Sequence, residues 1–301
     1  MQKILKVQTP EDYCRWLGVP SRHPLICCID FSKLSPIRMS LNRYDVYGIF
    51  FQDEDFNHQL DYGIGKYRNV SGSLIFVSPG QVGGKEYDGN TYHLGGWAVV
   101  FHPDLLQSTG LEKDIHSFRF FDYSVAEALQ MTPSEQQKLI DVIRLLDAEL
   151  DCPHDSNQDR IIVGFLNVIL RYAKRFYDRQ FSSEIKVGYD IPSRLENILK
   201  RYYENEEQYQ YGIPTVKLCA DRLSLTPGYL TDLLRKLSGE SAGTLIKRHV
   251  IQIAKNRLAS GMNSSEVSYS LGIRHPQHFA RMFKGVTGMT PSEYVNNRSR
   301  N

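Results

Sequence analysis

A chain of 301 residues, 41% of them hydrophobic and 23% charged, is long enough for two or three modest domains with real cores. It contains no run of eighteen apolar residues, and its N-terminus lacks the apolar core of a secretory signal, so a membrane span is excluded and a cytoplasmic location is predicted. The formal net charge of +2 hides a split: residues 213–301 hold 13 Lys and Arg against 5 Asp and Glu, a balance of +8, while residues 1–212 carry −6.

In chain order, the first 120 residues alternate short apolar runs with Gly, Pro, Asn and Asp turns. The runs Tyr44 to Phe51, Ser73 to Ser78 and Gly96 to His102 predict an all-β domain, either a sandwich or a barrel. Five cysteines, Cys14, Cys27, Cys28, Cys152 and Cys219, are odd in number and lack a CxxC spacing, which predicts reduced thiols rather than disulfides or zinc. Cys27 and Cys28 fall in the apolar run Leu25 to Ile29 and are expected in a buried strand. His58, His93 and His102 are isolated, with no HxH pair, so no metal site is predicted. Neither a nucleophile elbow nor a phosphate loop occurs. Gly63 with Gly65, and Gly83 with Gly84, read as turn glycines, and the chain shows no catalytic residue and no cofactor motif. A small-molecule pocket lined by Tyr47, Tyr92 and Trp97 is one reading of the β domain; the other makes these rings ordinary strand aromatics, and no ligand contact is assigned.

Two amphipathic helices are predicted next, at about 133–150 and 159–180. The first would bury Leu139, Val142, Ile143, Leu146 and Leu150, the second Ile162, Phe165, Leu166, Ile169, Ala173 and Phe176. Residues 182–191 read as a polar linker. Pro192 then opens a helix with Leu195, Ile198, Leu199 and Tyr202 inward.

The last third contains one pattern twice. Leu230, Leu233, Leu234 and Leu237 have the i, i+3, i+4, i+7 spacing of a buried helical stripe, and Phe279, Met282, Phe283 and Val286 repeat it forty-nine positions later. The opposite stripes are Gly228, Asp232 and Arg235 in the first copy and Gln277, Arg281 and Lys284 in the second. Thr226 before Pro227, and His275 before Pro276, mark helix starts, and Gly239 and Gly288 follow both helices at the same distance. Short apolar segments at 216–223 and 267–273 precede each helix by a turn of three or four residues, the helix-turn-helix arrangement that sends its second helix into a DNA major groove. A long helix from Ser241 to Ser260 joins the copies. Gln and Arg pair with base edges, and Lys and Arg neutralise phosphates, so the basic balance of this end agrees with nucleic acid as its partner. The bland alternative is a pair of solvated amphipathic helices.

The segment Val267 to Lys284, followed by Thr287 to Tyr294, resembles the signature of AraC/XylS-type bacterial transcription regulators, and the likeness spans roughly residues 193–298. The usual signature has alanine at Ser268, phenylalanine at Ile273 and often tyrosine at His278. The resemblance implies base contacts from Gln277 and Arg281 in the second motif, with His278 beside them, and from Gly228, Thr231 and Asp232 in the first. Arg235 and Lys284 are the phosphate-neutralising positions. Gly228 has no side chain with which to read a base, and Asp232 could only accept from a cytosine amino group, so the second motif is expected to discriminate more. Gly72 to Gln81 and Gly96 to Leu105 resemble, more loosely, the cupin-like sensor half of such regulators, although Gly83 and Gly84 stand where a histidine is frequent.

The fold class implied is α+β and multidomain, with a cupin-like β-barrel or sandwich carrying two packed helices and an all-α double helix-turn-helix. The divisions are residues 1–181, a linker at 182–191, and 192–301, with recognition helices at about 226–237 and 276–286. Implied partners are double-stranded DNA, a small-molecule effector for the N-terminal half, RNA polymerase, and a second copy of the chain through the helical pair; no membrane, metal or cofactor is implied. A cupin-type enzyme and an architectural DNA binder without sequence preference are the alternative readings.

Overall fold

The computed structural model describes residues 4–53, 59–62, 65–68, 72–85, 87–124, 127–186 and 191–298. The chain divides into two units, Met1–Gln180 and Phe181–Asn301.

The first unit begins with β1 (Leu5–Val7) and α1 (Pro10–Leu17). Thr9 caps α1 through a reciprocal box with Asp12, and proline fills the first helical position, where no amide partner is lost. Strands β2 (Ile26–Asp30), β3 (Ile37–Arg38), β4 (Leu41–Tyr44), β5 (Tyr47–Gln52), β6 (Gln59–Tyr62), β7 (Gly65–Arg68), β8 (Ser73–Val77), β9 (Val82–Gly84), β10 (Thr91–Tyr92) and β11 (Gly96–Phe101) follow. After them come α2 (Gly110–Asp114), β12 (Leu129–Gln130), α3 (Pro133–Glu149) and α4 (Gln158–Lys186).

The strands form two five-stranded sheets, in the orders β1-β4-β9-β6-β7 and β12-β8-β5-β11-β2, and a small β10-β3 ribbon. All pairs are antiparallel except β1 with β4. Of the two predicted architectures, the hydrogen bonding gives the sandwich: the described strands do not close into one barrel.

The period of two in the central strands decides what each face meets. Cys27, Ile29, Val77, Ala98 and Val100 turn inward toward Val7 and Tyr44 of the other sheet and Val46 of the turn between β4 and β5. Residues of opposite parity face the helices: Cys28 Sγ reaches the Ile143 carbonyl of α3, and Phe76 and Phe120 pack on Tyr177 of α4. Because β8 and β11 are covered on both sides, every one of their residues is buried, and Cys27 and Cys28 sit buried on opposite faces of β2.

Several sequence expectations shift here. The run Tyr44 to Phe51 is not one strand: β4 ends at Tyr44, and Asp45 and Val46 turn the chain into β5. Gly83 and Gly84 are not turn residues but lie in β9, opposite Asn42 and Leu41; Gly63 falls outside the described residues, and Gly65 opens β7. Gly84 has φ +118°, and a Cβ there would collide with the Ser40 carbonyl, so the close approach of β4 and β9 demands glycine. Helix α4 runs to Lys186 through residues read as linker, because Phe181 continues its apolar stripe; residues 187–190 lie outside the described set. Val142 and Phe165 are only half-buried.

Tyr47 stacks on Phe101 at 5.2 Å and meets Phe121 edge-on at 5.0 Å, Trp97 is buried in β11, and the half-buried Tyr92 hydroxyl accepts from Lys85 at 2.8 Å. His93 and His102 stand apart, and His58 is outside the described residues. The metal-like grouping among described residues is instead His23, His154 and Asp159. There, His23 Nδ1 accepts the Leu25 amide at 3.2 Å, which leaves Nε2 to carry the proton and donate to Asp159 at 3.0 Å. A nitrogen used in that way has no lone pair for a metal.

The second unit is helical: α5 (Ile191–Glu204), α6 (Gln208–Tyr211), α7 (Val216–Leu223), α8 (Pro227–Ser238), α9 (Ala242–Ala259), α10 (Ser264–Ser270), α11 (Pro276–Thr287) and α12 (Pro291–Arg298). Its core gathers Leu195, Leu199 and Tyr202 of α5, Cys219, Ala220 and Leu223 of α7, and Val250, Ile251 and Ala254 of α9. Ile198 is half-buried, and Ile191, one residue before the expected start, is buried. Among the described residues no helix is long and apolar enough to cross a membrane.

Candidate nucleic-acid interface

Helices α7 and α8, and again α10 and α11, form the two helix-turn-helix units. Thr215 caps α7, and Thr226 caps α8 by accepting the Tyr229 amide at 3.3 Å, with Pro227 following. Between them the turn is three residues long, and Ser224 takes a left-handed conformation at φ +59°. Asn263 and Glu266 form a capping box on α10. The second turn, residues 271–275, is longer. Gly272 bends it at φ +80°, where a Cβ would overlap the Gln208 carbonyl and stand 3.0 Å from Gly212 Cα. His275 holds the cap position of α11 without a side-chain bond to the helix; its ring packs on His278 at 5.4 Å instead.

The inward stripes are largely as the spacing predicts. Leu230, Leu233 and Leu234 are buried, as are Phe279 and Phe283. Leu237 and Met282 are half-buried, and Val286 is 40% exposed. The stripe of α11 therefore ends one turn early: Tyr294 of α12 packs edge-on to Phe283 at 5.5 Å, and Val286 projects beyond that contact. Tyr229, outside the spacing pattern, is buried against Phe181 at 5.0 Å.

The outward stripes differ in character. On α8, Gly228, Thr231 and Asp232 are half-buried and Arg235 is exposed. The Thr231 hydroxyl donates to the Pro227 carbonyl at 2.7 Å, and Asp232 pairs with Arg235 at 3.1 Å, so this face is partly occupied by its own contacts and its charges cancel. On α11, Gln277, His278, Arg281 and Lys284 are all exposed. Among the described residues Arg281 and Lys284 make no ion pair, and with Gln277 and His278 they lie exposed on the side opposite the buried Phe279 and Phe283.

The duplication extends further than the sequence showed. Gly239 and Gly288 both end their helices in the left-handed conformation, at φ +77° and +81°, and their amides close onto Arg235 and Lys284. Ser241 then caps α9 and Thr290 caps α12, again forty-nine residues apart. The signal was present in the sequence as two hydroxyl residues, two positions after each glycine. What the spacing did not give is α6, whose buried Gln208 donates to the Ser270 carbonyl at 3.4 Å and braces α10.

Residues 219–297 match the family model described as a helix-turn-helix domain. A search of curated proteins gives no match. Among solved structures, the chain is similar to a DNA-binding transcriptional dual regulator from Escherichia coli K-12, at 22% identity over 37% of this chain and 94% of that one, with a TM-score of 0.31. It is similar to a probable AraC family transcriptional regulator from Rhodopseudomonas palustris, at 22% identity over 34% and 96%, TM-score 0.26. A fatty-acid-bound ToxT from Vibrio cholerae is 16% identical over 90% and 94%, TM-score 0.28. The matched residues hold both units described above, the first turn of α7 excepted, and they identify this part of the chain as a helix-turn-helix domain.

Proposed function

We propose that the chain is a sequence-specific regulator that lays α8 and α11 in successive major-groove segments, with base reading concentrated on α11. The observation that carries this is the exposure of Gln277 and Arg281 on the face opposite buried Phe279 and Phe283. Gln and Arg make bidentate bonds to adenine and guanine edges, whereas Gly228 offers no side chain and Asp232 is already paired with Arg235. Arg235 and Lys284 then serve phosphates. Helix α9, with 18 residues at about 1.5 Å each, is a strut of roughly 27 Å, comparable with one turn of duplex at about 34 Å.

The N-terminal unit is read as the effector-sensing and pairing half, in a cytoplasmic protein acting on RNA polymerase. Pairing is supported by an exposed apolar stripe on α4, Ile161 at 41% and Val168 at 42% with half-buried Phe165 between them, and by Leu145 of α3 at 57%. Selection of bound fragments from random and genomic duplexes by the purified full chain tests the DNA reading. Enrichment of a motif spanning about two helical turns supports it. Equal affinity for selected and random duplex at one salt concentration replaces it with a non-specific architectural role.

A further inference from the structure

Between the two sheets of the N-terminal unit lies a pocket that opens on one side to solvent. Its walls come from both layers: Phe50, Gln52 and Ile75 on one side, Asn42, Tyr44 and Gly83 on the other. Tyr13 and Trp16 of α1 close one end, and Met39 and Leu94 border it. This slot between the sheets has room for several water molecules. Gly83, paired opposite Asn42, leaves the β9 wall without a side chain on this face.

Its polar groups are few and specific. Ser40 Oγ donates to Asn42 Oδ1 at 2.6 Å, and Asn42 Nδ2 donates to the Tyr44 hydroxyl oxygen at 3.1 Å. That chain leaves the Tyr44 O–H proton to donate into the slot. Gln52 Oε1 is a buried acceptor with no partner among the described residues. A buried acceptor left empty costs about 1–3 kcal/mol, so it favours an occupant that brings a donor. No described lining residue carries a formal charge. Burial pushes the Tyr44 hydroxyl up to about 12, so it stays neutral near pH 7. An anion entering here would lose its hydration and meet no cation.

We propose that this slot binds a neutral, flat, largely apolar small molecule carrying one hydroxyl or N–H donor, held by the aromatic walls and bonded to Gln52 Oε1. This rests on the reading of the N-terminal unit as a sensor and names the chemical class of its effector. Sugars offer too many hydroxyls for two polar partners, and carboxylates carry the wrong charge.

Calorimetric titration of the full chain with naphthol, naphthol methyl ether and naphthoate tests it. Naphthol is expected to bind, and the ether, lacking the donor, about tenfold more weakly. Naphthoate is expected not to bind. Gln52→Leu removes the acceptor at similar volume; its melting temperature should be unchanged or higher, and naphthol should bind it no better than the ether does. Failure of naphthol to bind, tighter binding of naphthoate, or naphthol affinity unaffected by Gln52→Leu would each overturn the proposal. DNA affinity measured with and without naphthol separates the two levels: binding that leaves DNA affinity unchanged retains the slot's chemistry and removes the sensor reading.

Discussion

On the proposed reading, single side chains give α8 and α11 different roles. Arg281→Ala should weaken binding to the selected site by about 1–3 kcal/mol and relax one base position, because a bidentate pair is lost. Lys284→Ala should weaken selected and random duplex alike and reduce the salt slope by about one ion. Gel-shift titrations on both duplexes at several salt concentrations check the pair; equal losses on both duplexes from both variants would contradict the division. A different residue makes the second unit sensitive to acid. His249 is half-buried on α9, and burial pushes its imidazole below the ordinary value, with Glu196 of α5 pulling the other way. The unfolded chain therefore takes up the proton first, and stability contributed by neutral His249 is lost as pH falls below about 6.5 toward its folded value. The urea midpoint of the full chain should fall less between about pH 7.5 and pH 5.5 in His249→Gln than in the wild type; identical falls would refute this assignment.

Elements are held in register by their ends more than by propensity. Gly239 and Gly288 have open space around them, so only backbone conformation opposes a side chain there, and Gly288→Ala should cost about 1–2 kcal/mol. Gly272 has the same sign of φ but is pressed against the Gln208 carbonyl and Gly212, so Gly272→Ala should cost more, about 3 kcal/mol, and displace α10 from α11. Denaturant midpoints of the two variants give the contrast, and equal losses would mean that the contact with α6 has room to relax. These glycines also show what spacing can reveal. Gly239 and Gly288 were visible as repeated helix ends, since a stop signal is local in sequence. Gly272 falls inside the segment read at 267–273, whereas the turn in fact begins at Leu271, and its real constraint comes from α6, some sixty residues upstream, which no local pattern contains. The early end of the α11 stripe has the same origin, since Val286 has the right spacing for burial and simply lacks a neighbour.

At the scale of the molecule, the exposed stripe of α3 and α4 predicts association. Leu145→Glu combined with Val168→Glu should shift the full chain toward monomer in sedimentation, with its melting temperature retained because neither side chain belongs to the core. A wild-type chain that is monomeric at the concentrations used to bind DNA would remove the pairing reading. The amino-acid sequence by itself determined the C-terminal arrangement: a helix places residues three and four apart on one face, so a repeated stripe with its caps names both the buried and the outward side chains. It also determined that the N-terminal half is built of strands. The tertiary structure alone decided which sheet each strand joins, that the two sheets stack without closing, and that Tyr13, Asn42, Gln52 and Gly83 share one slot while Tyr47 packs elsewhere. The reason is that strand pairing brings together residues tens of positions apart, and the period of two fixes which residues share a face without fixing what that face will meet.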